Sequence, residues 1–249
     1  MSQRRWPLLA IVATTACAFA HGQRYASFTT PTPLPAGDVL VLGFVGGRQS
    51  WDSDTEAVRR LAVKLRRRAL PHLHVETVEN KKRALALELI QRAFDRDRDG
   101  ALGEDERAAT QLILYGQSFG GAAVVKLARQ LDARRVPVLL TVQVDSVGRG
   151  DAVIPANVVR AANLFQASGL VIKGEPEIRA ADPSRTRIVG NFEFDYDDSD
   201  IDLSEVPWHK QIFRRAHSRM NLDPEVWSLV EELLVDEVER VSATTTTDP

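Results

Sequence analysis

The sequence predicts an α/β fold, a mostly parallel sheet flanked by helices, and three observations predict it. Apolar runs of strand length recur at residues 38–42, 73–78, 112–115 and 136–144. Segments of helical period lie between and after them, at 55–68, 82–94 and 122–128. Such alternation is what successive β-α-β crossovers require, because a tight turn cannot join parallel strands. The third observation is local. The run at 112–115 breaks at Gly116-Gln117-Ser118-Phe119-Gly120-Gly121, and a helix of small residues, Ala122-Ala123-Val124-Val125-Lys126-Leu127-Ala128, follows.

Length and composition fit one such core. At 249 residues, 44% apolar and 27% charged, the chain has enough apolar surface for a single sizeable domain, expected over 38–241. The net charge of −2 gives no reason to expect a nucleic-acid partner. Residues 1–20 read as a secretory signal peptide: Arg4-Arg5, an apolar run from Leu8 to Ala20, and Ala18-Phe19-Ala20 as a small-x-small cleavage site. That run is too short for a transmembrane span, and no later stretch is long and apolar enough. The expected location is extracytoplasmic, secreted or periplasmic. Loss of the leader would take the charge to −4. Cys17, the one cysteine, lies inside the leader, so the mature chain would have no disulfide. Thr14-Thr15-Ala16-Cys17 loosely resembles a lipobox without its usual leucine, which leaves lipid anchoring at Cys17 as an alternative.

Residues 21–37 are polar and carry Pro31, Pro33 and Pro35, which predicts an extended lead-in. The first strand runs into Gly43-Phe44-Val45-Gly46-Gly47, a glycine-rich loop. In the next helix, Val58, Leu61, Ala62 and Leu65 share one face, and a basic run forms a solvated opposite face. His72 and His74 flank the second strand without a partner motif and read as structural.

Residues 95–106 match a calcium loop. Asp95, Asp97 and Asp99 stand at places one, three and five, Gly100 at the sharp turn, and Ala101 offers its carbonyl at seven. Leu102 is the apolar eighth residue, and Glu106 is the carboxylate at twelve. Three aspartates this close repel one another unless a hard cation sits among them. The loop resembles an EF-hand, which implies Ca²⁺ on Asp95, Asp97, Asp99, Ala101 and Glu106. No second loop of this kind accompanies it and the exit segment is short, which favours a structural site over a sensor. The competing reading is an acidic, solvated loop.

After 136–144, residues 153–160 suggest a short helix, 161–166 a strand, and 178–188 a hairpin or loop leading into 188–192. The acidic stretch 195–202 matches no metal spacing and reads as a solvated loop, with a second cation site as the alternative. Asp223-Pro224 opens a final helix over 222–240, and residues 242–249 form a polar tail expected to be disordered.

A serine framed by glycines between a strand and a helix resembles the nucleophile elbow of the α/β-hydrolase family, the lipases and esterases. The competing reading is a glycine-rich turn in another α/β fold. The resemblance spans residues 38–240 and implies a three-layer hydrolase fold with catalysis at the C-terminal strand ends. It implies Ser118 as nucleophile, with the Phe44 and Phe119 amides as the oxyanion hole. In the family's chain order, Asp145 is the acid and His217 the base. The family's acid usually follows one strand later, but in the secreted triglyceride lipases it sits here, and Asp195 is the runner-up. His217 precedes Asp223-Pro224-Glu225-Val226, which resembles the serine-esterase pattern of a histidine, a loop and D-P-x-V; His209, beside Trp208, reads as packing or substrate-lining. The implied activity is cleavage of a small-molecule or lipid ester, or a thioester, through an acyl-enzyme. A different class remains open, a catalytically inert calcium-binding interaction protein on the same fold.

Overall fold

The computed structural model describes residues 22–70, 72–168, 173–197, 201–204 and 215–245. The leader with Cys17, and Trp208 with His209, lie outside the described residues. Eight strands are present among them: β1 Val39–Val45, β2 Leu73–Glu79, β3 Leu112–Gln117, β4 Val138–Val144, β5 Val153–Ile154, β6 Val158–Gln166, β7 Arg179–Ala180 and β8 Arg187–Phe194. The helices are α1 Ala57–Arg67, α2 Arg83–Phe94, α3 Glu104–Ala108, α4 Phe119–Asp132, α5 Arg215–Leu222 and α6 Pro224–Thr245. Six strands form one sheet in the order β2-β1-β3-β4-β6-β8. Every pairing in it is parallel. No described helix is long and apolar enough to cross a membrane.

Strand alternation sorts the apolar residues into two layers. Leu40, Leu42, Phe44, Leu112 and Leu114 point to the face covered by α2 and α4. Val39, Val41, Val45, Ile113, Tyr115 and Val142 point to the face covered by α1 and α6. Both faces are covered, so β1 and β3 are buried along their whole length and read as unbroken apolar runs. Each such side chain stabilises the fold by about 1.5–3 kcal/mol relative to exposure. Gly43 interrupts the run in β1, and there the Tyr115 ring lies against the strand, its hydroxyl donating to the Val58 carbonyl at 2.8 Å.

The lead-in is not simply extended. It contains a 3-10 turn, Tyr25–Ser27, and is fixed along the β2 edge. Glu76, fully buried, accepts from the main chain and hydroxyl of both Thr29 and Thr30, and its other oxygen accepts from Arg66 at 2.8 Å. At the N-terminal strand ends, Asp38 binds His72 at 2.8 Å and His74 at 2.6 Å, one on each oxygen.

Three expectations from the sequence are corrected. Residues 153–160 are not helical: Val153–Ile154 is β5, and β6 begins at Val158, because Pro155 and the β-branched valines favour extended chain. Of the two readings of 178–188 the hairpin fails, since β7 pairs in parallel with β5, and the loop holds between β7 and β8. Residues 242–245, expected in the tail, continue α6, and 246–249 lie outside the described residues.

Candidate active site

The chain proceeds from β1 to β2 on one side of the sheet, and from β3 to β4, β6 and β8 on the other. The order therefore reverses between β1 and β3, and in open parallel sheets the crevice outside the C-terminal strand ends at that reversal receives ligands. Ser118 follows β3 at this point. Its φ of 57° and ψ of −125° put it in a strained turn that opens α4. The turn depends on Gly120, where a Cβ would lie 2.0 Å from the Phe44 carbonyl oxygen. Ser118 is tied to the neighbouring strand end: its N–H donates to the Val144 carbonyl at 2.9 Å, and its carbonyl accepts from Val147 N–H at 3.1 Å.

Asp145, one residue beyond β4, has a φ of 43°, and so adjacent strand ends each carry a non-glycine residue in the left-handed region. Asp145 is fully buried. One carboxylate oxygen contacts His217 Nδ1 at 2.5 Å, and the other accepts from Gly174 N–H at 2.7 Å. With Nδ1 held by the carboxylate, Nε2 is the ring nitrogen left to exchange a proton. The structure thus brings Asp145 and His217 together at the same sheet end as Ser118. Among the described residues no hydrogen bond joins Ser118 Oγ to His217. His217 lies within α5, not on the loop expected from the sequence. Asp195 takes no part: its carboxyl accepts from the Ser168 hydroxyl at 2.5 Å and from Asp197 N–H at 3.0 Å, and these bonds, the hydroxyl first, hold it below the usual carboxylate range.

Behind α5, a buried cluster fixes the helix. The Tyr196 hydroxyl donates to Asp223 at 2.6 Å, and Arg219 donates to the Tyr196 carbonyl at 2.5 Å. Burial, then the bond to Asp223, pushes the Tyr196 phenol up, so it remains a donor. Asp223 also caps α6 through Glu225 N–H at 2.8 Å.

The oxyanion assignment is divided. Phe119 is the first residue of α4, where main-chain N–H groups have no partner within the helix. Phe44, however, is a fully buried rung of β1, paired with Val78 on one side and Gly116 on the other. The strand runs to Val45, further than residue 42, because Phe44 and Val45 continue its apolar pattern. The sheet thus consumes the Phe44 main chain. The segment beside the serine is Gly46, where a Cβ would stand 3.2 Å from Ser118 Cβ.

Gly46 belongs to the glycine-rich loop that the sequence already marks, whereas sequence reasoning missed Gly174 and Asn80. Gly174 lies between Lys173 and Glu175 with no motif around it, although a Cβ there would come within 2.3 Å of Asp145 Oδ1. Asn80 likewise has no motif around it; it directly follows β2, the edge strand beside β1.

At the other end of β3, the oxygens of Asp95, Asp97 and Asp99 gather within 4.8 Å of one another. Asp95 is 7% exposed, and its Oδ1 is buried without a hydrogen-bond partner. Gly100 turns the loop with a φ of +88°, and its N–H donates to Asp95 Oδ2 at 3.0 Å. Glu106 accepts from Arg96 N–H at 2.6 Å and Gly103 N–H at 2.8 Å, and these main-chain bonds, Gly103 first, keep its carboxyl below the usual range.

No protein-family model matches this sequence, and no curated protein matches it. Among solved structures, the chain is similar to RedJ, a thioesterase from the prodiginine biosynthetic pathway in Streptomyces coelicolor. The identity is 13%, over 79% of this chain and 94% of that one, with a TM-score of 0.34.

Proposed function

We propose that the chain is an exported serine hydrolase that cleaves an ester or thioester through an acyl-enzyme. The observation that carries this reading is the Asp145–His217 pair standing at the strand end next to an elbow serine. His217 Nε2 takes the Ser118 Oγ proton as the oxygen attacks the substrate carbonyl carbon. Charge builds on the carbonyl oxygen, and the Phe119 amide with amides of the 46–48 loop stabilises it. Asp145 stabilises the imidazolium, which returns the proton to the departing alkoxide or thiolate. Water then repeats the sequence on the acyl-enzyme. Export rests on the leader pattern at 1–20.

We also propose that the 95–106 loop holds a structural Ca²⁺. The donor set fits: three clustered carboxylates, one with a buried oxygen lacking any partner, and Glu106 on the same loop. A buried carboxylate oxygen without a partner is costly, and a hard cation supplies the missing interaction.

The test of the hydrolase reading is covalent labelling by a fluorophosphonate together with turnover of a short-chain nitrophenyl ester. Ser118→Ala is expected to abolish both while the far-ultraviolet spectrum stays unchanged. Undiminished turnover in that variant would sink the reading. Absence of label and turnover in the wild type favours the inert calcium-binding alternative.

A further inference from the structure

We infer that Asn80 is a positioning residue that aims the main-chain amides of the 46–48 loop at the reaction centre. The inference rests on the serine-hydrolase reading of Ser118. Asn80 is 8% exposed and immediately follows β2. Its Nδ2 donates to two carbonyls at the end of β1 and in the loop after it, Val45 at 3.1 Å and Gly47 at 2.7 Å. The strand order fixes what this does. Asn80 stands on the β2 side of the β1 end, and Ser118 stands on the β3 side. A trans peptide points its carbonyl and the next N–H in opposite directions. With the Val45 and Gly47 carbonyls drawn towards Asn80, the N–H groups of Gly46 and Arg48 face the other way, across β1 towards Ser118.

Two further observations agree. Gly47 has a φ of +54°, a left-handed conformation that turns its carbonyl back towards the β2 side. Gly46 packs against the elbow itself, with a Cβ position 3.1 Å from the Gln117 carbonyl oxygen. Gly46 and Gly47 have no side chains to hold them; the Gly46 carbonyl accepts from Gln49 N–H at 3.2 Å, and the Asn80 amide fixes the peptides on either side. Preorganised amides stabilise a developing oxyanion because they need not reorient during the reaction, so a loop released from Asn80 would lose that advantage.

Asn80→Asp keeps the shape and removes both donors, and Asn80→Ala serves as a second variant in case the first does not fold. Each is compared with wild type and Ser118→Ala for kcat, KM and melting temperature. Binding of a trifluoromethyl ketone, which forms an oxyanion on the serine, is measured beside them. The expected result is a kcat about ten- to a hundredfold lower, with KM within about twofold. Ketone affinity should fall in parallel with kcat. A folded variant with kcat within about threefold of wild type, or one whose ketone affinity is unchanged, overturns the inference. Wild-type turnover that survives Ser118→Ala overturns the hydrolase reading, and this inference with it; wild-type turnover lost in Ser118→Ala leaves the Asn80 result to stand on its own.

Discussion

Asp145 has both carboxylate oxygens committed, one to His217 Nδ1 and one to Gly174 N–H. A buried carboxylate with two partners is stiff, so it can hold one imidazole tautomer and compensate the charge that forms on it. Replacing it by Asn keeps the volume and an acceptor for Gly174 but offers His217 a group that can donate. The imidazole then settles in the wrong tautomer. Asp145→Asn is therefore expected to lower kcat by about three to four orders of magnitude with little change in KM. Steady-state kinetics beside a melting curve checks this, and a loss below about tenfold would remove Asp145 from the acid's role. Position 145 was readable in the sequence because an aspartate ends a strand one element after the elbow. Gly174 was not, since it comes from a segment 29 residues away that contacts Asp145 only through its main chain.

At the scale of elements, β1 to β4 with α1, α2 and α4 were legible because each shows its own period over many residues. The connections beyond β4 were not. A parallel crossover normally carries a helix, yet residues 145–157 cross without one, held instead by the short pair of β5 and β7. Their anchors are side-chain amides inside the sheet, a long-range pattern that local periodicity does not register. Gln143 donates to the Asp151 carbonyl, Asn163 to the Glu175 carbonyl, and Asn191 accepts from Ile178 N–H. This packing brings Glu175 towards Asp151, and burial first, then the Asp151 charge, pushes the Glu175 carboxyl up. A carboxyl whose folded pKa is raised binds its proton more tightly than the unfolded chain does. Its cost is absent below the unfolded value, grows as pH climbs towards the folded value, and is complete above it. Glu175→Gln is accordingly expected to raise the melting temperature at pH 7, with the gain disappearing below about pH 4, the ordinary range of a glutamate. Melting curves of both proteins across that range test it; a gain that persists unchanged at low pH would assign the effect to something other than ionisation.

The whole molecule separates two centres along the strand direction. Ser118, Asp145 and His217 stand at the C-terminal ends of the sheet, while the 95–106 loop feeds the N-terminal end of β3. Six residues of strand lie between them, roughly 20 Å. The loop also belongs to the framework: Ala93, just before it, accepts from Leu34 N–H of the lead-in at 2.7 Å, and the Glu106 carbonyl accepts from the Thr110 hydroxyl at 2.9 Å. Neutralising Asp95, Asp97 and Asp99 with Ca²⁺ would thus brace the α2–β3 connection and the lead-in, and leave the distant strand ends unmoved. A ligand present at a hundredfold excess over its Kd stabilises by about 2.7 kcal/mol, a rise of roughly 5–10 °C for a domain of this size. Chelation is expected to lower the melting temperature by that much, with kcat at 25 °C within about twofold of the calcium-loaded value, because the domain remains folded there. Asp95→Asn should remove the response to calcium, and equilibrium dialysis of wild type should find one ion per chain. A melting temperature indifferent to chelator, with no calcium retained, would make the loop a solvated acidic turn; a kcat that collapses on chelation while the chain stays folded would mean the two ends of the sheet are coupled after all.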